Sequence, residues 1–200
     1  MWRQLVRRPA EPDAEGGNLR AGLRLLKVVG GQFDDPGRRD EIVAVLYGRY
    51  REELVRLAVG LTGDLGLAEE IVQEAFAQLL ARWTLLRDRQ SAPAYLRRVV
   101  VNGAHAGWRR RRRRELLAHL LGTPAQAEDP DIAQQRTVLA ALARLPIGKR
   151  ACVLLRFYAD LSEAQTAQLL GVSTGTVKSQ TAKGLRQLHK LLEPTHTEVS

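Results

Sequence analysis

Between Leu161 and Leu192 the chain sets two helix-start signals on either side of one glycine, an arrangement that leaves few folds open. Ser162 and Gln165 form a capping box, in which the hydroxyl and the amide side chain satisfy two backbone donors that a helix start otherwise leaves unpaired. A helix is predicted to begin there, to carry Ala164, Ala167, Leu169 and Leu170, and to stop at Gly171, where a left-handed backbone costs glycine little. Ser173 then caps a second helix. Small Ala167 lets the two helices approach, Gly171 makes the turn, and Val177 closes the wedge from the second helix. Those three roles define a helix-turn-helix.

On the second helix Val177, Gly184, Leu185, Leu188 and Leu192 recur at helical spacing and are expected to face inward. The outer side then carries Thr176, Ser179, Gln180, Lys183, Arg186 and Lys190. Hydroxyl, amide and cationic groups reach base edges and phosphates when a helix lies in the major groove, with base contacts concentrated toward its N-terminal half. Lys183, Arg186 and Lys190 fall mainly to phosphates. A solvated amphipathic helix in a bundle is the competing reading, and the placement of Ala, Gly and Val between two caps favours DNA.

The composition agrees. A chain of 200 residues with 44% hydrophobic and 26% charged content can bury a core, and its net charge of +9 favours a polyanionic partner. No long uncharged apolar stretch suggests a membrane span, and the apolar run Leu23 to Val29 is interrupted by Arg24 and Lys27, unlike a secretory signal. The single cysteine, Cys152, cannot form a disulfide within one chain and reads as a buried structural thiol in a reducing, bacterial-type cytosol. His105, His119, His189 and His196 lack metal-ligand spacing. No nucleophile and base pair and no phosphate-binding glycine loop stands out. The reading is therefore of a non-enzymatic protein with no catalytic residue, no metal and no cofactor.

Periodicity divides the chain. Residues 1–39 are rich in Gly, Pro, Asp and Arg and read as a mostly flexible tail, apart from the short stretch Leu19 to Val29. A first block, 40–121, opens with a long amphipathic helix through Ile42, Val43, Leu46, Tyr47, Tyr50, Leu54, Leu57 and Leu61. Gly63 to Gly66 break it. A second helix places Ile71, Val72, Ala75, Phe76, Leu79, Leu80 and Trp83 on one face, Arg87 to Gln90 form a polar loop, and Ser91 caps a third helix. Residues 122–131, with Pro124 and Pro130, read as a linker. A second block, 132–193, has a helix that stops around Leu145 and Pro146, resumes from Lys149 to Tyr158 and ends in the helix-turn-helix; 194–200 form a C-terminal tail. The fold class is all-α: two small helical domains joined by a flexible linker.

The third helix carries a second basic element. Leu96, Val99, Val100, Gly103 and Gly107 share one side, while Arg98, Asn102, His105, Arg109 and Arg112 form a stripe opposite. The stripe runs into six successive arginines, Arg109 to Arg114. Such a run repels itself, and phosphates relieve the repulsion with release of condensed ions. A solvated charged helix end is the alternative; Asn102, His105 and nearby Trp108 favour nucleic-acid contact.

Taken together, these pieces resemble the extracytoplasmic-function (group IV) sigma factors of bacterial RNA polymerase, and in particular their actinobacterial sigma-E-like branch. The resemblance spans about Asp40 to Leu192. In the first block it lies in Leu61-Thr62-Gly63-Asp64, in Ala68-Glu69-Glu70-Ile71-Val72-Gln73-Glu74-Ala75-Phe76, and in Tyr95-Leu96-Arg97-Arg98 through Asn102 and the arginine run. In the second it lies in Leu145-Pro146, Arg150, Leu161-Ser162 and the stretch Gly171 to Ser179.

The resemblance implies that the first block is sigma region 2, binding core polymerase and the minus-ten promoter element as an unpaired strand. The second is then region 4, reading the minus-thirty-five element as duplex. By the same likeness Arg98, Asn102, His105, Trp108, Arg109, Arg110, Arg112 and Arg113 hold the melted element, with the Arg87 to Gln90 loop helping to trap flipped bases. Ser173, Thr174, Thr176, Lys178, Ser179, Gln180, Lys183 and Arg186 meet the distal element. Glu70, Gln73, Glu74 and Ala77 face a coiled coil of the polymerase; for Glu69 and Glu70 a favourable interaction with the helix dipole explains the acids equally well. An anti-sigma factor is the further partner implied. Gln165, Thr166 and Gln180 depart from the family's usual acid, apolar residue and arginine, which implies an altered base preference.

Two other functions fit parts of the sequence. An autonomous helix-turn-helix regulator needs no polymerase-facing acidic helix and often dimerises on a palindrome. A nonspecific RNA binder using the arginine run would show steep salt dependence and little sequence preference.

Overall fold

The computed structural model describes residues 36–86, 89–121 and 133–193, which among them form helices and short turns with no strand. The expected tail up to residue 35, Arg87 and Asp88 of the polar loop, the expected linker 122–131 and the C-terminal tail lie outside the described residues.

Helix α1, Pro36–Thr62, begins earlier than the periodicity of the sequence indicates. Pro36 fits a first helical position, where its missing N–H would be unpaired anyway. The helix ends sharply at Gly63, whose φ of 75° is open to glycine and whose N–H reaches the Val59 carbonyl at 2.7 Å. The next residue starts α2, Leu65–Ala81: Asp64 Oδ1 accepts the Leu67 N–H at 2.9 Å. The break is thus Gly63 and Asp64 alone, and Gly66 lies in the first turn of α2 rather than in a loop.

Trp83 also departs from the sequence reading. It sits beyond α2 in a 3₁₀ turn, Trp83–Leu85, because the Arg82 N–H closes onto the carbonyls of Gln78 and Leu80 and ends the helix. Trp83 still enters the core, at 1% exposure, while Leu85 points out. A second 3₁₀ turn, Arg89–Ser91, occupies part of the expected polar loop and leads directly into α3, Ala92–Leu121, so that Ser91, the expected cap of α3, is the last residue of that turn.

The buried face of α3 is wider than the expected apolar stripe, since Val101 and Ala104 join Leu96 and Val100 in the core. Close approach explains Gly103: a Cβ there would lie 2.9 Å from Ile71 Cγ2 on α2. Arg97 of α3 clasps Glu53 of α1, with Nη2 to Oε1 at 2.7 Å, and both side chains are largely shielded from water.

The second block comprises α4, Ala133–Ala143; α5, Ile147–Phe157; α6, Glu163–Leu170; and α7, Thr174–Leu192. It packs directly on the first. The core runs continuously through both, with Leu54, Leu57 and Leu61 of α1 and Val153, Leu154 and Leu155 of α5 in one buried cluster.

Three contacts set the direction of that seam. Arg150 Nη1 donates to the Leu61 carbonyl at 2.5 Å, Gly60 faces Leu154, and Tyr158 Oη donates to the Glu53 carbonyl at 3.3 Å. As α5 advances from residue 150 to 158, its partners on α1 fall from 61 to 53, so the two helices run antiparallel. Gly60 permits the approach, since a Cβ there would meet Leu154 Cδ1 at 3.0 Å.

Candidate nucleic-acid interface

The helix-turn-helix forms as the local chemistry dictates. Ser162 Oγ accepts the Gln165 N–H at 3.1 Å, and Gln165 Oε1 accepts the Ser162 N–H at 2.8 Å, completing the capping box. Gly171 adopts φ 68°, and Ser173 Oγ accepts the Thr176 N–H at 3.1 Å. Cys152, Ala167 and Val177 meet in a small apolar cluster, the wedge that fixes α6 against α7. Burial pushes the Cys152 thiol up from its ordinary pKa.

With Val177, Gly184 and Leu188 buried, α7 turns Ser173, Thr174, Thr176, Lys178, Ser179, Lys183 and Arg186 to solvent. Gln180 is only half-exposed, so it lies at the rim of that surface instead of its centre. The hydroxyls at its N-terminal end are pre-positioned: Ser173 and Thr176 share a hydrogen bond at 2.9 Å, and Ser179 Oγ donates to the Thr176 carbonyl at 3.1 Å.

On α3, Arg98, Asn102, Arg109, Arg110 and Arg113 are exposed. Trp108 is half-buried, and the Arg112 side chain lies outside the described ones. His105 departs from the expected outer stripe. It is half-buried, and its Nε2 is closed off from solvent without a hydrogen-bond partner among the described residues. Burial first, and the neighbouring Arg109 cation second, hold its pKa below the usual histidine value, so the neutral ring is favoured.

Glu70, Gln73, Glu74 and Ala77 are all exposed on α2, so that face is open to a partner. Glu74 accepts a hydrogen bond from Gln78 Nε2 at 2.8 Å. A feature that the sequence did not reveal is that the acidic and basic surfaces meet. Glu70 and Glu74 on α2 and Arg98, Asn102 and Arg110 on α3 line one cleft of about 830 Å³, together with Leu67, Ile71, Val99 and Gly103. Tyr95 also lines it, with a buried hydroxyl that has no partner among the described residues. Its place in the Tyr95-Leu96-Arg97-Arg98 stretch was the one available signal. No group of three or more metal-ligating side chains occurs among the described residues, and no described helix is long and apolar enough to cross a membrane.

Comparison with known proteins decides the family. Residues 46–114 match the family model for Sigma-70 region 2, and residues 135–188 match that for Sigma-70, region 4. The RNA polymerase sigma-E factor of Streptomyces antibioticus is 34% identical over 145 residues, covering 72% of this chain and 80% of that protein. The chain belongs to the extracytoplasmic-function sigma factors of bacterial RNA polymerase.

A second relative of this sigma factor, the ECF RNA polymerase sigma factor SigL of Mycobacterium tuberculosis, is 32% identical over 158 residues, covering 76% of this chain and 89% of its own length. Among solved structures, the fold is similar to the sigma factor RpoE of Bartonella quintana in complex with the anti-sigma factor NepR, with a TM-score of 0.60 at 20% identity, covering 75% of this chain and 98% of that one. It is also similar to CnrH in complex with the cytosolic domain of CnrY, with a TM-score of 0.57 at 18% identity over 86% and 94% of the two chains. As a sigma factor the protein directs the polymerase core to promoters and takes part in initiation.

Proposed function

We propose a division of labour among three surfaces of this sigma factor. The N-terminal half of α7, from Ser173 to Gln180, reads base edges of the minus-thirty-five element in the major groove, while Lys183 and Arg186 hold phosphates. Along α3, Arg98, Asn102, Arg109, Arg110, Arg112 and Arg113 hold the melted minus-ten strand, and His105 and Trp108 border it. Glu70, Gln73, Glu74 and Ala77 on α2 meet the polymerase. The protein performs no catalysis itself and acts in the cytosol, where polymerase and chromosome are.

The supporting observation is the paired orientation of α3 and α7, each of which buries an apolar face in the core and leaves a polar, cationic face open. The α2–α3 cleft adds a reason for the two tasks of the first block to be coupled, because a strand entering beside Arg98 and Asn102 lies next to the polymerase-facing acids. Footprinting with core polymerase tests the assignment. The holoenzyme should protect both elements, and Arg98→Ala with Asn102→Ala should abolish permanganate reactivity of the melted stretch while leaving upstream protection. Unchanged melting in that double variant overturns the α3 assignment.

A further inference from the structure

We propose that Ser179 of α7 is a specificity-determining residue that acts as a hydrogen-bond acceptor alone, selecting adenine or cytosine over guanine or thymine on one strand of the minus-thirty-five element. The inference rests on the reading of α7 as the duplex-facing helix and names the base chemistry recognised at that site.

A serine hydroxyl carries one proton and two lone pairs. Ser179 Oγ donates its proton to the Thr176 carbonyl at 3.1 Å, so its exposed side offers lone pairs only. Serine side chains readily bond back to the preceding turn of a helix in this way. To donate to a base, Ser179 would have to exchange the carbonyl bond for the new one. Accepting from a base keeps the first bond and adds a second, so accepting is favoured by one net hydrogen bond.

The neighbouring hydroxyl pair has the opposite character. Ser173 Oγ accepts the Thr176 N–H at 3.1 Å and shares one hydrogen bond with Thr176 Oγ1 at 2.9 Å. One of the pair's two hydroxyl protons lies between the oxygens, which leaves the other to donate outward. The pair therefore donates where Ser179 accepts.

A short side chain reaches a base edge only where the helix comes close. Helical side chains lean toward the N-terminus, over the residues three and four positions earlier. The fourth earlier position is Gly175, where a Cβ would meet Ser173 Oγ at an ordinary 3.8 Å, and three positions later stands Ala182, small and exposed. Ser179 thus occupies a shallow notch between small residues, with Lys183 exposed one turn on.

Every base pair shows one amino group and one keto oxygen in the major groove: adenine N6 beside thymine O4, or cytosine N4 beside guanine O6. An acceptor fixed on the helix therefore senses which strand carries the amino group. The discrimination expected is roughly two- to tenfold, the worth of one hydrogen bond.

The test uses holoenzyme assembled from the full chain and core polymerase, selecting from a promoter library randomised through the minus-thirty-five element with the minus-ten element held constant. Ser179 is exposed, so its substitution leaves the core intact. Wild type should prefer adenine or cytosine on one strand at one pair. Ser179→Ala should lose that preference, a change of roughly two- to tenfold, and leave the other positions as they were. Ser179→Asp, an acceptor with no proton to give, should keep the preference while binding more weakly overall, since its charge faces phosphates. The proposal is overturned if Ser179→Ala alters no position or removes a preference for guanine or thymine, or if Ser179→Asp loses the preference for adenine or cytosine. If wild-type holoenzyme selects no sequence at all in that element, the reading of α7 as the base-reading helix fails instead.

Discussion

Gly184 of α7 lies so close to Val153 of α5 that a Cβ at this position would stand 2.8 Å from Val153 Cγ2 and 3.4 Å from the Lys149 carbonyl oxygen. Helix α7 is thereby seated on the core of the second block with no room for a side chain at this position. Gly184→Val should destabilise the protein by about 1–3 kcal/mol through overpacking, read as a lower midpoint in urea denaturation, with Gly184→Ala intermediate. Equal midpoints for all three would show that α7 can lift off α5 freely.

Thr166 offers the opposite experiment. It is fully buried, and its Oγ1 has no hydrogen-bond partner among the described residues. A buried polar group left unpaired costs about 1–3 kcal/mol, so isosteric Thr166→Val should raise the denaturation midpoint. A lower midpoint would mean that the hydroxyl is satisfied in solution.

Lys183 and Gln180 should part company in binding assays. Lys183→Ala is expected to weaken duplex binding about evenly across sequences and to reduce the salt slope by about one, whereas Gln180→Ala should change which bases are selected. Similar profiles for the two variants in a binding selection would contradict their division between backbone and base contact.

Glu74→Arg should abolish holoenzyme formation while leaving thermal stability close to that of wild type, because Glu74 is exposed and its described side-chain partner is Gln78 on the same helix. The new cation would share the cleft with Arg98 and Arg110. Co-migration with core polymerase in gel filtration measures this outcome.

His105 gives a pH dependence with a definite sign. Its folded pKa lies below the ordinary histidine value, so between the two values the unfolded chain binds more protons. The stability that neutral His105 contributes is complete above the unfolded value and is lost as pH falls toward the folded one. Urea midpoints should therefore decline on acidification below about pH 6.5, and His105→Gln should flatten that decline. An identical slope in the variant would assign the acid sensitivity to other groups.

Short-range chemistry was the legible part of this molecule. Ser162, Gln165, Gly171 and Ser173 act within three or four residues of themselves, and each forms the contact its sequence position implies. The Asp64 cap on α2 is of the same kind, hidden inside a stretch that reads as a glycine-rich break. Val101 and Ala104 escaped because α3 is covered from more than one side, which widens a buried face beyond a single helical stripe. The seam was out of reach: Arg150 and Leu61, or Arg97 and Glu53, are brought together by packing between distant segments, and periodicity within one helix carries no trace of such pairings. The meeting of the acidic and basic surfaces in one cleft was illegible for the same reason.

The chain's one thiol sits beneath the turn that aims α7, shielded by Ala167 and Val177. Oxidants and alkylating agents act on thiolates they can reach, and Cys152 offers neither access nor ready ionisation while the domain is intact. A thiol-directed reagent should therefore label Cys152 only when the second block opens, so the rate of labelling reports that opening.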